Sequence, residues 1–373
     1  MSADPNTPHP NDKNSRFLAC TSNAILELVA ETVENGSPKL HEVQTSPSEI
    51  RLSAIAASPD GTRVYATGRG EPDAEGNTGR LLAWERATPG ASLKLMGSPV
   101  STRGVTPCYV SLHPTLPLLA VTNFRSPGDR NESPGSVTLF RLDDNGQPLP
   151  SVDQVGFPGS GPNLPRQAAS HPHSAVFTTS PSVLRVADLG TDSIWSVPMS
   201  PDAEKIFGEP ARYVAPPGSG PRHMAVVENG HALMYVDEMA NHLTWLQPTG
   251  ALELESVLRT WMMPGPGARG AAADIQVSWD SRFVYATIRG MDEIVGYALD
   301  LSAQTMTESV RYSSVGSGPR SLALSPNGHW AALANTSGKQ PTLDFLKRDP
   351  ETGDVERCDL RVTGARLVTA LIA

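Results

Sequence analysis

The chain is short of cysteine, of basic charge and of long apolar runs, and each shortage excludes a class of protein. Three cysteines in 373 residues, Cys20, Cys108 and Cys358, are too few and too scattered for a disulfide framework or a zinc knuckle. Lysine and arginine number 30 against 39 aspartates and glutamates, a net charge of −9. That balance argues against a nucleic-acid partner, because binding phosphates needs a basic face. No stretch approaches the roughly 18–20 apolar residues of a membrane-crossing helix. Residues 1–15, MSADPNTPHPNDKNS, lack the apolar core of a secretory signal. They hold almost nothing that packs and are expected to form a mobile tail, leaving residues 16–373 as a single domain. The expectation is a cytoplasmic protein with neither a nucleic-acid nor a membrane partner.

Glycine (32) and proline (34) are plentiful instead, and they are spread along the whole chain. Such spacing reads as many tight turns between short strands. Internal repetition supports it: VYATGRG at Val64–Gly70 is nearly VYATIRG at Val284–Gly290, and GSGPR occurs at Gly218–Arg222 and Gly316–Arg320. Six segments share one register, beginning at Ser53, Cys108, His173, Arg222, Ala273 and Arg320. In most of them an apolar strand precedes a Pro/Asp/Asn/Gly turn, such as SPDG at Ser58–Gly61 or SPNG at Ser325–Gly328, and a second strand returns. Further alternating stretches complete each unit, and no helical periodicity competes. Four strands in about fifty residues, repeated, predicts propeller blades. The two chain ends supply a seventh. Arg16–Ser22 reads as a second strand lacking its first, followed by a strand at Ala24–Ala30; Leu367–Ala373 reads as the missing first strand. The predicted fold is all-β: a seven-bladed propeller of four antiparallel strands per blade, closed by pairing the N- and C-terminal strands.

Counting each hairpin from its first registered residue as zero, pairing is expected to return position zero beside positions fifteen and sixteen. Position zero carries His173, Arg222 and Arg320, with Asp274 one place on in its blade; position sixteen carries Arg69, Glu238 and Arg289. If the first strands line a central channel, these residues form a ring at one mouth. Four arginines in an acidic protein imply an anionic ligand, since guanidinium matches carboxylate and phosphate through paired hydrogen bonds. A histidine with a nearby carboxylate implies proton transfer near neutral pH. Structural readings stand beside these: Glu238 neutralising Arg222, Arg69 and Arg289 bracing neighbouring blades, His173 as a satisfied core residue. Asn123, Asp188, Asp237 and Asn335 at position fifteen read as turn caps. His171 and His173 have the spacing of a metal pair on one strand face, but no third ligand follows, and neither a metal nor any other cofactor is expected.

The ordered series HPHSAVF, VADLGTDSIW, GSGPRHMA, YVDEMANHLTW, IQVSWDSRFVYATIRG and GPRSLALSPNGHWAALAN resembles the lactonase family of seven-bladed propellers. That family includes bacterial-type 6-phosphogluconolactonases and fungal 3-carboxy-cis,cis-muconate lactonizing enzymes. The resemblance implies His173 as general acid or base and Glu238 as its partner or as the base that activates water. It implies Arg222 and Arg289 as ligands of the substrate anion and of charge on the lactone oxygen, with Arg320, Asp274 and Arg69 as further binding residues. Asp274 and Ser321 depart from the family pattern, where Glu and His or Asn are common. The functional expectation is a lactonase acting on a small carboxylated or phosphorylated lactone. The alternatives are a cycloisomerase that closes a muconate-like diacid and a propeller scaffold without chemistry.

Overall fold

A computed structural model of the chain describes residues 14–33, 37–129, 132–179, 182–202, 205–265, 268–313 and 316–371. Among them, the strands form seven four-stranded sheets, and each sheet takes its strands in sequence order except the one that joins the chain ends. This is the predicted seven-bladed propeller. Blade 1 runs from Arg51–Ala57 to Lys94–Ser101, blade 2 from Pro107–Leu112 to Pro148–Gly156, and blade 3 from Pro172–Thr179 to Ala211–Val214. Blade 4 runs from Pro221–Val227 to Leu254–Trp261, blade 5 from Ala271–Val277 to Thr305–Ser313, and blade 6 from Pro319–Leu324 to Val355–Thr363. Blade 7 is the closing one. Leu367–Leu371 lies against Asn14–Cys20, which is followed by Ala24–Thr32 and Pro38–Pro47. Arg16 stands opposite Leu371 and Cys20 opposite Leu367, so Leu367–Leu371 supplies the first strand of this sheet. The first strand begins at Asn14, two residues before the expected domain start; the rest of the expected tail, residues 1–13, lies outside the described residues.

The turn chemistry works as the motifs suggest. In SPDG the Gly61 amide donates to the Ser58 carbonyl at 2.8 Å, and the Ser58 hydroxyl accepts from the Arg63 amide at 2.9 Å. In SPNG the same bonds join Gly328 to Ser325 at 2.9 Å and Trp330 to the Ser325 hydroxyl at 2.9 Å. Gly61 and Gly328 both have positive φ, 65° and 78°, a conformation that costs glycine nothing.

The contacts divide the chain into two compact units, one of residues 1–64, 84–95 and 276–373, the other of residues 65–83 and 96–275. In the first, Phe17, Trp330 and Phe345 centre an apolar cluster with alanines 19, 30, 332 and 334. In the second, Leu118, Leu139, Phe177, Leu184, Trp195 and Phe207 bury the facing surfaces of blades 2 and 3. Alternating strand residues thus meet face to face, as packed sheets require.

One detail of register differs from expectation. The residue opposite position fifteen is not position zero but the proline before it: Pro107 faces Asn123, Pro172 faces Asp188, Pro221 faces Asp237 and Pro319 faces Asn335. Pairing resumes one residue late in all four blades, so each carries a β-bulge at Cys108, at His173, within Arg222–His223 or at Arg320. A bulge leaves one residue outside the ladder and re-aims its side chain. Proline suits the place before it, since it has no N–H to give the ladder.

Candidate active site

The bulges of blades 3 and 4 bring a polar cluster together within the second unit. Arg222 is only 1% exposed. Its Nε donates to Glu238 Oε2 at 3.0 Å, and its Nη1 donates to the Ala273 carbonyl. Glu238, 8% exposed, follows the end of the second strand of blade 4, where its amide donates to the Gly220 carbonyl at 2.9 Å. Its other oxygen, Oε1, accepts from Arg166 Nη2 at 2.5 Å. Two guanidinium groups therefore hold one carboxylate, a charge-assisted arrangement that fixes its plane.

Next to Arg222 along the chain, His223 donates from Nδ1 to Asp274 Oδ1 at 2.7 Å. The same oxygen accepts the Ile275 amide at 2.9 Å. The His173 ring meets the His223 ring edge to face, centroids 5.3 Å apart, and Tyr109 meets His223 at 5.2 Å. Desolvation, then the Asp274 carboxylate, push the Tyr109 phenol well above its ordinary pKa, so it stays protonated and able to donate. Cys108 lies against the same strand: its thiol is 3.5 Å from the Pro172 carbonyl oxygen and 3.6 Å from that of His173.

Beside this cluster is a cavity of about 460 Å³ lined by Arg69, Thr106, Phe124, Arg125, Pro165, Arg166 and His171. Arg69 Nη2 donates to the Thr106 hydroxyl at 2.7 Å. The Arg166 guanidinium lies over the Phe124 ring, 5.0 Å from its centroid, and His171 stacks on Phe124 at 4.4 Å, with rings 8° from parallel. His171 Nδ1 also bonds the Phe124 carbonyl at 2.9 Å. That contact gives the suspected metal-pair histidine a stacking role, and no group of three His, Cys, Asp or Glu side chains among the described residues could hold a metal ion. The cavity thus combines three cations, a hydroxyl and an aromatic floor, which suits a small polyhydroxylated anion.

His173, Arg222, Glu238, Asp274 and Arg69 therefore belong to one unit, the first four as a cluster and Arg69 on the cavity wall. Arg222 is buried and bonds both Glu238 and the Ala273 carbonyl, and the Asp274 carboxylate bonds His223. Arg289 ends the second strand of blade 5, and Arg320 occupies the blade 6 bulge with an exposed side chain; both lie in the first unit. Of the position-fifteen residues, Asp188 is the cap foreseen: it accepts from the His171 and Gly190 amides and from the Ser170 and Thr191 hydroxyls. Asp237 instead accepts from Arg259 at 2.8 Å.

Sequence reasoning passed over Arg166 and His223. His223 had a signal, since it shares the blade 4 bulge with Arg222. Arg166 had none: it lies in the connection between blades 2 and 3, outside the repeated register.

The family model described as Lactonase, 7-bladed beta-propeller, matches residues 20–371. A 6-phosphogluconolactonase of Formosa agariphila is 26% identical over 83% of this chain and 85% of its own length. A 6-phosphogluconolactonase of Bacillus subtilis is also 26% identical, over 67% of this chain and 68% of its own. Among solved structures, the periplasmic gluconolactonase of Pseudomonas aeruginosa matches with a TM-score of 0.81 at 25% identity, over 96% of this chain and 99% of that one. With its seven blades, the bulge-borne cluster of blades 3 and 4 and a match running from residue 20 to 371, the chain belongs to the lactonase family of seven-bladed β-propellers.

Proposed function

We propose that this protein is a lactone hydrolase whose substrate is a phosphorylated sugar-acid lactone, and that residues 16–373 act as one domain. The observation that carries the reading is the position of Arg166, which lines the cationic cavity while its Nη2 sits 2.5 Å from Glu238. Anion binding and acid–base chemistry meet at that contact. In the reaction, Glu238 takes a proton from the water that attacks the lactone carbonyl, and an arginine N–H supports the oxyanion that develops. His173 gives a proton to the ring oxygen as the acyl–oxygen bond breaks, and the His223–Asp274 pair beside it keeps the imidazoles oriented. The products are a carboxylic acid and a hydroxyl; at neutral pH the acid releases one proton to solvent.

The names of the Formosa agariphila and Bacillus subtilis relatives favour opening a lactone over closing one, so the cycloisomerase reading has no support of its own. A scaffold without chemistry would not need a carboxylate held by two arginines beside two imidazoles. The absence of a disulfide at any of the three cysteines suits a reducing compartment such as the cytoplasm.

The test is proton release on adding 6-phosphogluconolactone or glucono-δ-lactone to the purified protein. We expect hydrolysis well above the spontaneous rate, and a loss of about a hundredfold in kcat for His173→Ala, the scale of losing a general acid. Neither lactone turning over faster than in buffer refutes the reading.

A further inference from the structure

We propose that Arg166 is a displaceable plug on the base. In the free protein it masks Glu238, and the phosphate of the substrate draws it away, so that binding the anion releases the carboxylate for catalysis. The inference rests on the lactonase reading and assigns the residue that selects phosphorylated over neutral lactones.

The two arginines on Glu238 are held very differently. Arg222 is buried, carried on a strand and tied to a backbone carbonyl as well. The Arg166 side chain is 41% exposed and comes from the connection between Pro148–Gly156 and Pro172–Thr179. That connection is pinned beside Arg166, not through it. Gln167, fully buried, donates from Nε2 to the Leu189 carbonyl at 2.8 Å and to Asp192 Oδ1 at 2.7 Å, and its amide donates to the Asn163 carbonyl at 2.9 Å. The backbone is therefore anchored while the Arg166 head is free to swing. Its second contact, the Phe124 ring face, imposes little direction and would tolerate such a swing.

Where the guanidinium can swing is also fixed. It already borders the cavity that Arg69 and Arg125 line, and a phosphate dianion there offers more charge and more acceptor oxygens than one carboxylate. The arginine cannot give its best geometry to both anions. As it turns to the phosphate, Glu238 Oε1 loses its donor and becomes available to a water, while Arg222 keeps Oε2 in place. A neutral lactone brings no such anion and meets a masked base.

The experiment compares the wild type, Arg166→Ala and Arg166→Lys on both lactones, with and without inorganic phosphate. For Arg166→Ala, KM for 6-phosphogluconolactone should rise roughly 10- to 100-fold, the effect of losing a charged hydrogen bond. Its kcat/KM for glucono-δ-lactone should rise roughly two- to fivefold, the scale of removing a half-exposed ion pair. Inorganic phosphate should accelerate glucono-δ-lactone hydrolysis by the wild type and leave Arg166→Ala unaffected, with Arg166→Lys between them. A parallel fall on both lactones would make Arg166 a positioning residue for Glu238 and overturn the proposal; so would a phosphate effect equal in wild type and Arg166→Ala. Thermal stabilisation by inorganic phosphate separates the two readings. If the wild type hydrolyses neither lactone, the lactonase reading fails; if phosphate neither stabilises nor activates it, the plug fails whatever the activity.

Discussion

Replacing Arg222 by alanine tests a bracing role toward Glu238, because its bonds to Glu238 and to the Ala273 carbonyl are buried and the first holds the carboxylate. The change deletes the Nε bond to Glu238 and the Nη1 bond to the Ala273 carbonyl. A hydrogen bond to a charged group contributes about 1.5–3 kcal/mol, and breaking a buried ion pair costs about 3–5 kcal/mol when the partner is left uncompensated. Glu238 is not left so, since Arg166 still reaches its other oxygen. The expected loss is therefore near the lower bound, about 3 kcal/mol. At about 2.1 cal/mol/K of unfolding entropy per residue, a chain of 373 residues converts that loss into a fall in Tm of roughly 4 °C. Activity should fall further than stability: freed from one guanidinium, Glu238 can shift by an ångström, which costs on the order of a hundredfold in rate. Arg222→Lys should recover much of the Tm but little of the rate, because an ammonium cannot span the carboxylate and the carbonyl as the planar fork does. Calorimetry and proton-release kinetics on the same preparations give both quantities, and far-ultraviolet circular dichroism checks the sheets. A variant with a wild-type rate, or with an unmoved Tm, refutes the bracing role.

Two further outcomes follow from buried charge elsewhere. Glu27 in blade 7 is fully buried and accepts from Arg86 at 2.6 Å, Gln44 at 2.6 Å, Arg16 at 3.1 Å and the Gly90 amide at 3.0 Å; Glu27→Ala strands the buried Arg86 and should cost about 3–5 kcal/mol, read as a lower urea midpoint. Asp237 is buried beside Arg259, and desolvation raises its carboxyl from 3.8 to about 7. Between those values the folded protein keeps a proton that the unfolded chain has lost, so stability falls as pH rises from about 4 to about 7. Asp237→Asn should abolish that slope, worth a few kcal/mol at most, and parallel urea midpoints for wild type and variant across the window would refute it.

The blades were legible because most hairpins repeat the same evidence: apolar strands on both sides of a polar turn, and in SPDG and SPNG a serine, an aspartate or asparagine, and a glycine that each meet a stated need. The closing blade was legible for the opposite reason, since Arg16–Ser22 lacked one neighbour and Leu367–Leu371 supplied it. The bulges were not legible from alternation. One extra residue changes the face of every later side chain in the strand, yet an apolar run such as MAVV or LAL reads the same from either face. The signal was the proline at 107, 172, 221 and 319, directly ahead of the bulge in each of those blades.

Those bulges also decide where the polar side chains of blades 3 and 4 point. Regular pairing alternates side chains between faces, so a residue beside Asp237 would be set by the pleat alone. In blade 4 the extra residue lets Arg222 turn in to Glu238 and Ala273 while His223 turns to Asp274. Two adjacent residues thus serve two carboxylates, which an unbulged strand would send to opposite faces. Arg166 completes the set from a connection that obeys no repeat. On the proposed reading, the repeated part of the chain supplies the carboxylate and the imidazoles, and a non-repeated loop supplies the displaceable cation. Specificity among lactones should accordingly vary with the connection between blades 2 and 3 more than with the strands.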